Sequence, residues 1–172
     1  MLPQPLKASK VGDVVCPVLA GVETGVWGGV LVIAWYATVS WLYGEPAWTV
    51  PARLAAAVYG PGLAQGGGLM AGAAGAALEV SGGGIVGALF GLSMRAQWCA
   101  RRAPLLGLFF GLGWYYVGYG ILPREFGRAA ASVFSLRSAL LAHVAFGLFL
   151  AAYPRFLRSL RPGAMRAGMC SR

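Results

Sequence analysis

The chain has 172 residues, of which 58% are hydrophobic and only 11% are charged. This composition lies outside the usual range of soluble domains and indicates an integral membrane protein with one domain. A net charge of +9 would suit nucleic-acid binding in a soluble protein. Here the basic residues lie between apolar runs and in the C-terminal tail, where they orient spans and meet anionic lipid head groups. We therefore expect the lipid bilayer, and no nucleic acid, as their partner.

Four apolar stretches are long enough to cross a bilayer, and they predict an all-α, up-down bundle of four transmembrane helices. The spans are expected at about residues 17–43, 67–94, 104–122 and 136–153, followed by a basic tail, 154–172. Lys and Arg number ten in the N-terminus, the 2–3 connection and the tail, against four in the other two connections. This bias places both termini in the cytoplasm, and we expect a bacterial inner membrane as the location.

Aromatic residues mark the outer end of the first span. Trp41, Tyr43 and Trp48 are expected as interfacial anchors, because amphipathic rings collect at the level of the head groups. Pro51 can begin a short helix, 52–59, that lies on the membrane surface. Glu23 is expected a turn or two inside the opposite membrane edge, as an interfacial group that snorkels or pairs with a loop arginine, with a transport site as the less favoured alternative.

Glycines recur every three or four residues along the second span, and the third and fourth spans carry shorter versions of the pattern. On a helix this spacing forms one stripe, and small residues allow two transmembrane backbones to approach closely. The residues expected to pack helices are Gly72, Gly75, Gly83, Gly87, Gly91, Gly107, Gly111 and Gly147.

Glu79 lies inside the glycine stripe, near the middle of the second span. An ionisable group at that depth is costly, so Glu79 is a candidate polar site. Two interpretations remain open. A protonated Glu79 that is hydrogen-bonded across the bundle would hold the helices in register. Alternatively, Glu79 is the proton- or cation-binding group of a small transporter or channel.

His143, the only histidine of the chain, lies on a small-residue stripe of the fourth span. We expect Glu79 and His143 to approach each other, because their spans run in the same direction and their depths differ by about one helical turn. One histidine cannot supply both axial ligands of a b-type haem, so a single tetrapyrrole on His143 is a less favoured alternative to no cofactor. No metal site is expected, and Cys16, Cys99 and Cys170 are expected as free thiols.

No catalytic motif is apparent. The chain has no phosphate-binding loop followed by a lysine and no nucleophile with a plausible base, so we do not expect an enzyme. A weak repeat relates residues 87–95 to residues 147–155. A two-plus-two duplication would explain it, and chance similarity between apolar sequences is the alternative.

Three segments, residues 111–123, 139–148 and 153–155, resemble parts of small four-span bacterial inner-membrane proteins, including YagU-like ones. The last span of that family often has an Ala-His pair followed by an aromatic residue and Gly, matched here by Ala142, His143, Phe146 and Gly147. Trp48 and Pro51 match its Trp-x-x-Pro turn. Its second span can carry a histidine where this chain has Glu79. The resemblance implies a four-helix membrane bundle whose biochemical role is unassigned.

The favoured function is a structural or accessory subunit of a membrane complex, or a homo-oligomer. Four helices with this many small-residue faces have more such surface than they can bury among themselves. The expected partners, besides lipid, are other membrane subunits or further copies of the chain. The alternatives are a proton- or cation-coupled transporter or channel that uses Glu79, and a pigment- or haem-binding subunit that uses His143.

Overall fold

The computed structural model describes residues 10–60, 62–65, 68–94, 102–121 and 136–160, and every element in these ranges is helical. The all-α class is therefore confirmed for the described residues. In chain order the elements are α1 (Lys10–Leu42), α2 (Thr49–Tyr59), α3 (Gly62–Gln65), α4 (Gly68–Ser93), α5 (Ala103–Tyr116), a π-helical segment (Val117–Ile121), α6 (Leu136–Leu150) and α7 (Tyr153–Leu160).

Three helical stretches of the described chain are long and apolar enough to cross a bilayer: Val14–Leu42, Gly68–Ser93 and Arg137–Leu160. They correspond to the predicted spans 17–43, 67–94 and 136–153. The first begins earlier than predicted, because Pro17 lies inside α1 instead of at its start. The last of these stretches continues beyond residue 153, because α7 follows α6 after a two-residue turn. Residues 154–160 of the predicted tail are thus helical, and residues 161–172 lie outside the described ranges.

The remaining predicted span, 104–122, corresponds to α5 and the π-helical segment. α5 has 14 residues, fewer than the roughly 20 needed for a full crossing. The π-helical segment, Val117–Ile121, adds five more residues. α5 is apolar throughout, and its exposed side chains include Leu105 and Phe109.

Glycines join the long helices into two antiparallel pairs. In the α1–α4 pair, a Cβ atom on Gly21 would collide with the backbone of Gly87, and one on Gly25 would collide with the backbone of Gly83. We call this set of contacts the first glycine seam. In the second glycine seam, between α5 and α6, Gly107 and Gly111 lie against the backbones of Gly147 and His143. Neither seam has room for a side chain.

The two glycine seams share one register. Gly87 lies against the Gly21 carbonyl, as Gly147 lies against the Gly107 carbonyl. These contacts align Gly21 with Gly107, but Trp35-Tyr36 begins 14 residues after Gly21 whereas Trp114-Tyr115 begins 7 residues after Gly107. The two-plus-two repeat therefore stays a prediction.

Aromatic rings connect the two helix pairs. The Phe146 ring of α6 lies over Gly28 of α1, where a Cβ atom would be only 2.7 Å from the ring. On the other side, the Phe90 ring of α4 makes edge contacts with Phe110 and Tyr153, at centroid distances of 5.6 and 5.5 Å. Phe90 and Phe146 are buried and belong to one core. Around the bundle, the backbones of α4 and α5 approach each other least.

The short helix predicted after Pro51 is present as α2, but α4 covers one of its sides. Val50, Pro51 and Ala55 are buried, and the Pro51 backbone lies against Gly75. Trp48 lies against Gly68 and Gly72, so the contacts advance in the same direction on both helices. α2 therefore runs beside the first half of α4, with Arg53 at the surface, 3.3 Å from the Glu45 carboxylate.

The predicted interfacial anchors differ in exposure. Trp41 and Tyr43 are 74% and 80% exposed, whereas Trp48 is 44% exposed and shared with α4. Trp48 thus has a packing role in addition to any contact with lipid head groups.

Gly87→Ala should lower the stability of the bundle, because the new Cβ atom would meet the Gly21 carbonyl and lie 2.8 Å from Gly25 Cα. Overpacking of this kind costs about 1–3 kcal/mol. The matched control is Gly113→Ala in α5, since a Cβ atom there has nothing within 4 Å. Thermal unfolding in detergent should separate the two variants, and equal melting temperatures would contradict the first glycine seam.

Candidate functional site

Glu79 lies where α4 changes partners. One helical turn before it, Gly75 contacts Pro51 of α2, and three residues after it, Gly82 contacts the Trp114 ring of α5. Gly29 of α1 lies against the backbone of Glu79 and Val80. Residues three or four apart share one face of a helix. Glu79 therefore occupies the interval between α2 and α5 on one face of α4, and it is partly exposed there.

Trp114 is the partner of the Glu79 side chain. The indole N–H donates a hydrogen bond to the carboxyl group, which is the only polar role that an indole has. A carboxylate can accept about four hydrogen bonds. In the described part of the chain, Trp114 is the one side chain that donates to Glu79. The carboxyl group is thus held in place and retains capacity for a proton, a cation or a further donor.

His143 occupies a closed environment. The residue is 3% exposed, and its Nδ1 atom lies 2.8 Å from the Ala139 carbonyl of the preceding turn. The Tyr115 ring meets the imidazole edge to face at a centroid distance of 5.7 Å. Gly111 of α5 lies against the His143 carbonyl. The small-residue stripe of α6 therefore brings α5 close enough to cover the ring.

The structure does not join Glu79 and His143 to each other. Glu79 is bonded to Trp114 and His143 contacts Tyr115, and no described hydrogen bond or ion pair links the two. Neighbouring residues on a helix point in directions about 100° apart. The two polar groups thus meet α5 at adjacent positions on different sides. Counting residues gives depth along a span but cannot show which residues of a third helix each group contacts.

All the predicted helix-packing glycines meet another segment of the chain. Gly72 contacts Trp48, the residue before α2, and Gly75 contacts α2, whereas Gly83, Gly87 and Gly91 contact α1. In the second seam, Gly107 and Gly111 of α5 face Gly147 of α6. The stripe on α4 therefore serves two different helices, and Glu79 lies where one replaces the other.

Trp114 was not singled out by the sequence pattern. It belongs to a run of aromatic residues at the end of the third predicted span, a position that is typical of an interfacial anchor. The sequence offered one signal that Trp114 lies deeper than an interfacial anchor. Three further aromatic residues, Tyr115, Tyr116 and Tyr119, separate it from the end of the span. Glu23 was expected a turn or two inside the membrane edge, and it is exposed on the side of α1 that faces away from α4.

Within the described ranges, no three His, Cys, Asp or Glu side chains are close enough together to hold a metal ion. Cys16 is a free thiol, and Cys99 and Cys170 lie outside the described residues. No protein-family model, curated protein or solved structure matches the chain. The resemblance to YagU-like proteins therefore stays a prediction.

Glu79 and Trp114 should be energetically coupled. In a double-mutant cycle, Glu79→Leu and Trp114→Phe should be non-additive by about 0.5–3 kcal/mol, because each removes the same hydrogen bond. Glu79→Leu and His143→Asn, which share no direct contact, should be additive within about 0.5 kcal/mol. Unfolding in detergent by a chemical denaturant measures both cycles. Additivity in the first cycle would show that the bond does not stabilise the bundle.

Proposed function

We propose that the protein is a four-span membrane protein that works as a subunit of a larger membrane assembly. The observation that supports this proposal is the exposed carboxyl group of Glu23 on the outer side of α1. A carboxylate that faces lipid is costly, and a partner that offers a polar group removes much of that cost. Glu79, which is partly exposed between α2 and α5, is a second carboxyl group on the surface of the bundle.

Exposed glycine faces do not support assembly, although the sequence predicts more small-residue faces than the chain can bury by itself. Both glycine seams are filled by helices of the same chain. Open space remains beside Gly113 and Gly118 of the α5 region, but two such positions do not make an interface. The proposal therefore rests on exposed polar groups and not on unfilled helix grooves.

The third span of the proposed topology consists of α5 and the π-helical segment. From Ala103 to Ile121 the helical stretch extends about 28 Å at roughly 1.5 Å per residue, close to the ~30 Å of a bilayer core. α5 is antiparallel to α6, which is part of a candidate span. Two antiparallel helices in direct backbone contact are expected to share the membrane.

Fusions to topology reporters should place Leu63 and Arg128 outside and a C-terminal fusion inside. The charge bias of the connections gives both termini a cytoplasmic side. A fusion at Arg102 is the matched control, and it should read as cytoplasmic. A reporter at Arg128 that reads as cytoplasmic would reduce the number of spans before it by one and overturn the four-span topology.

A second candidate function is proton- or cation-coupled transport. The position of Glu79 favours it, because the carboxyl group has one donor in the described chain, Trp114, and is partly exposed. A group of this kind can bind and release a proton as α2 or α5 moves. Intramembrane carboxyl groups with this combination of burial and access mark ion pathways in many transporters.

A tetrapyrrole on His143 is less compatible with the arrangement. The imidazole is covered by Tyr115 and has 3% of its surface exposed. A macrocycle would have to displace Tyr115 and separate α5 from α6 at the second glycine seam. We therefore do not extend the proposal to a pigment or haem.

Native mass spectrometry of the protein extracted from its own membrane should give a mass above that of one chain, 17.9 kDa. Glu79→Gln should leave that assembly intact, because the amide still accepts the Trp114 hydrogen bond. A monomer would contradict the subunit proposal. A monomer that also shows flux driven by a pH gradient, abolished by Glu79→Gln, would favour transport in its place.

A further inference from the structure

The contacts between α2 and α4 place α2 inside the apolar layer. Pro51 lies against Gly75, and the two helices advance in the same direction from that contact. Ala55, one turn after Pro51 and completely buried, is therefore level with Glu79. Glu79 is eleven residues into α4, which is about 16 Å at roughly 1.5 Å per residue. α2 thus descends beside α4 to about the middle of the bilayer, instead of lying on the membrane surface as expected from its sequence.

The contact between α4 and α5 ends at the same depth. The Phe110 ring meets the Phe90 ring at a centroid distance of 5.6 Å, and Trp114, one turn further along α5, also lies against α4. The next turn brings Gly118, where a Cβ atom would have nothing within 4 Å. The described helices therefore leave a gap between α2 and α5, with Glu79 at its inner end. We call Glu79, Trp114 and Gly118 the Glu79 gap.

Glu79 and Trp114 together form a surface that attracts positive charge. Both side chains are partly exposed, and the indole N–H donates a hydrogen bond to the carboxyl group. This bond fixes the ring beside the carboxyl group, so that one cation can contact both. A carboxylate attracts a cation strongly where water is scarce, and the face of an indole ring adds to the attraction.

The surroundings of the Glu79 gap favour a cation with apolar substituents over a metal ion. Calcium and magnesium take about six oxygen ligands, whereas no three acidic, His or Cys side chains come together within the described ranges. The helix faces beside the two residues are apolar. Ala76, three residues before Glu79, and Val117, three residues after Trp114, are both partly exposed and share those faces. One carboxylate is enough for a single positive charge.

We propose that the Glu79 gap binds a monovalent organic cation with apolar substituents, such as a substituted ammonium or phosphonium ion, which enters from the outer half of the bilayer. The Glu79 carboxylate neutralises the charge, and the Trp114 ring lies against one side of the cation. The apolar substituents occupy the open space beside Gly118. The inference rests on the second candidate function, for which it names the ligand, and it is independent of the subunit proposal.

The test is the binding of tetraphenylphosphonium to the purified full chain in detergent, measured by isothermal titration calorimetry. We expect saturable binding of one cation per chain. Glu79→Gln should weaken this binding at least tenfold, because the amide still accepts the Trp114 hydrogen bond but carries no charge. Glu23→Gln is the matched control, since Glu23 is an exposed carboxyl group on the outer side of α1. It should leave the binding unchanged.

A second pair of variants tests the gap without altering Glu79. Gly118→Leu should weaken the binding about tenfold, because its side chain fills the open space. It should also fold, since nothing lies within 4 Å of the Cβ position, and thermal unfolding checks this. Gly113→Leu is the control, because its Cβ position is equally open and the residue is exposed. It should bind the cation as the unaltered chain does.

Three outcomes would overturn the inference. They are the absence of saturable binding to the unaltered chain, binding that either Glu79→Gln or Gly118→Leu leaves unchanged, and equal losses in Glu79→Gln and Glu23→Gln. Flux driven by a pH gradient without cation binding would keep the second candidate function and remove the inference. Cation binding by a chain whose native mass is that of a monomer would keep the inference and remove the subunit proposal.

Discussion

Direct backbone contact between α1 and α4 is the constraint on which the rest of the structure depends. Gly21 and Gly25 meet Gly83 and Gly87 with no side chain between them. In a bilayer there is little hydrophobic force between helices, so such close packing is a main source of their association. The contact fixes the register of the two longest helices. It thereby decides which side of α1 faces outward and how deep Glu23 and Glu79 lie.

The second helix pair, α5 and α6, also packs through glycines, and aromatic side chains fill the space between the two pairs. Phe146 lies over Gly28, whereas Phe90 meets Phe110 and Tyr153. Rings are large enough to bridge backbones that glycine does not bring together. The contact between α4 and α5 depends on such rings, because α2 covers the first half of that face of α4. Trp114 is the bridge at the level of Glu79, so one residue both fills the gap and holds the carboxyl group.

Much of the helix pattern could be predicted because it is local. Hydropathy located α1, α4 and α6, and glycine spacing identified the packing face of α4. The partners of that face could not be predicted, since a periodic stripe shows which residues share a side and not which helix covers it. Gly75 meets α2 and Gly87 meets α1 for this reason. The contacts of Glu79 and His143 with neighbouring α5 residues, Trp114 and Tyr115, could not be predicted for the same reason. Hydropathy also cannot distinguish lipid-facing from protein-facing apolar residues.

The internal use of glycine changes what can drive association with other proteins. Helices that expose small residues can bind a neighbour through close backbone contact, but this chain fills its seams with its own helices. Its outer surface is then made of large apolar side chains, which lipid solvates as well as any protein does. Polar groups are the exception, because lipid cannot solvate them. Glu79 has Trp114 as an internal donor, whereas Glu23 has no donor in the described chain. An exposed carboxyl group on an otherwise apolar helix face is therefore the feature of the described surface that lipid solvates least.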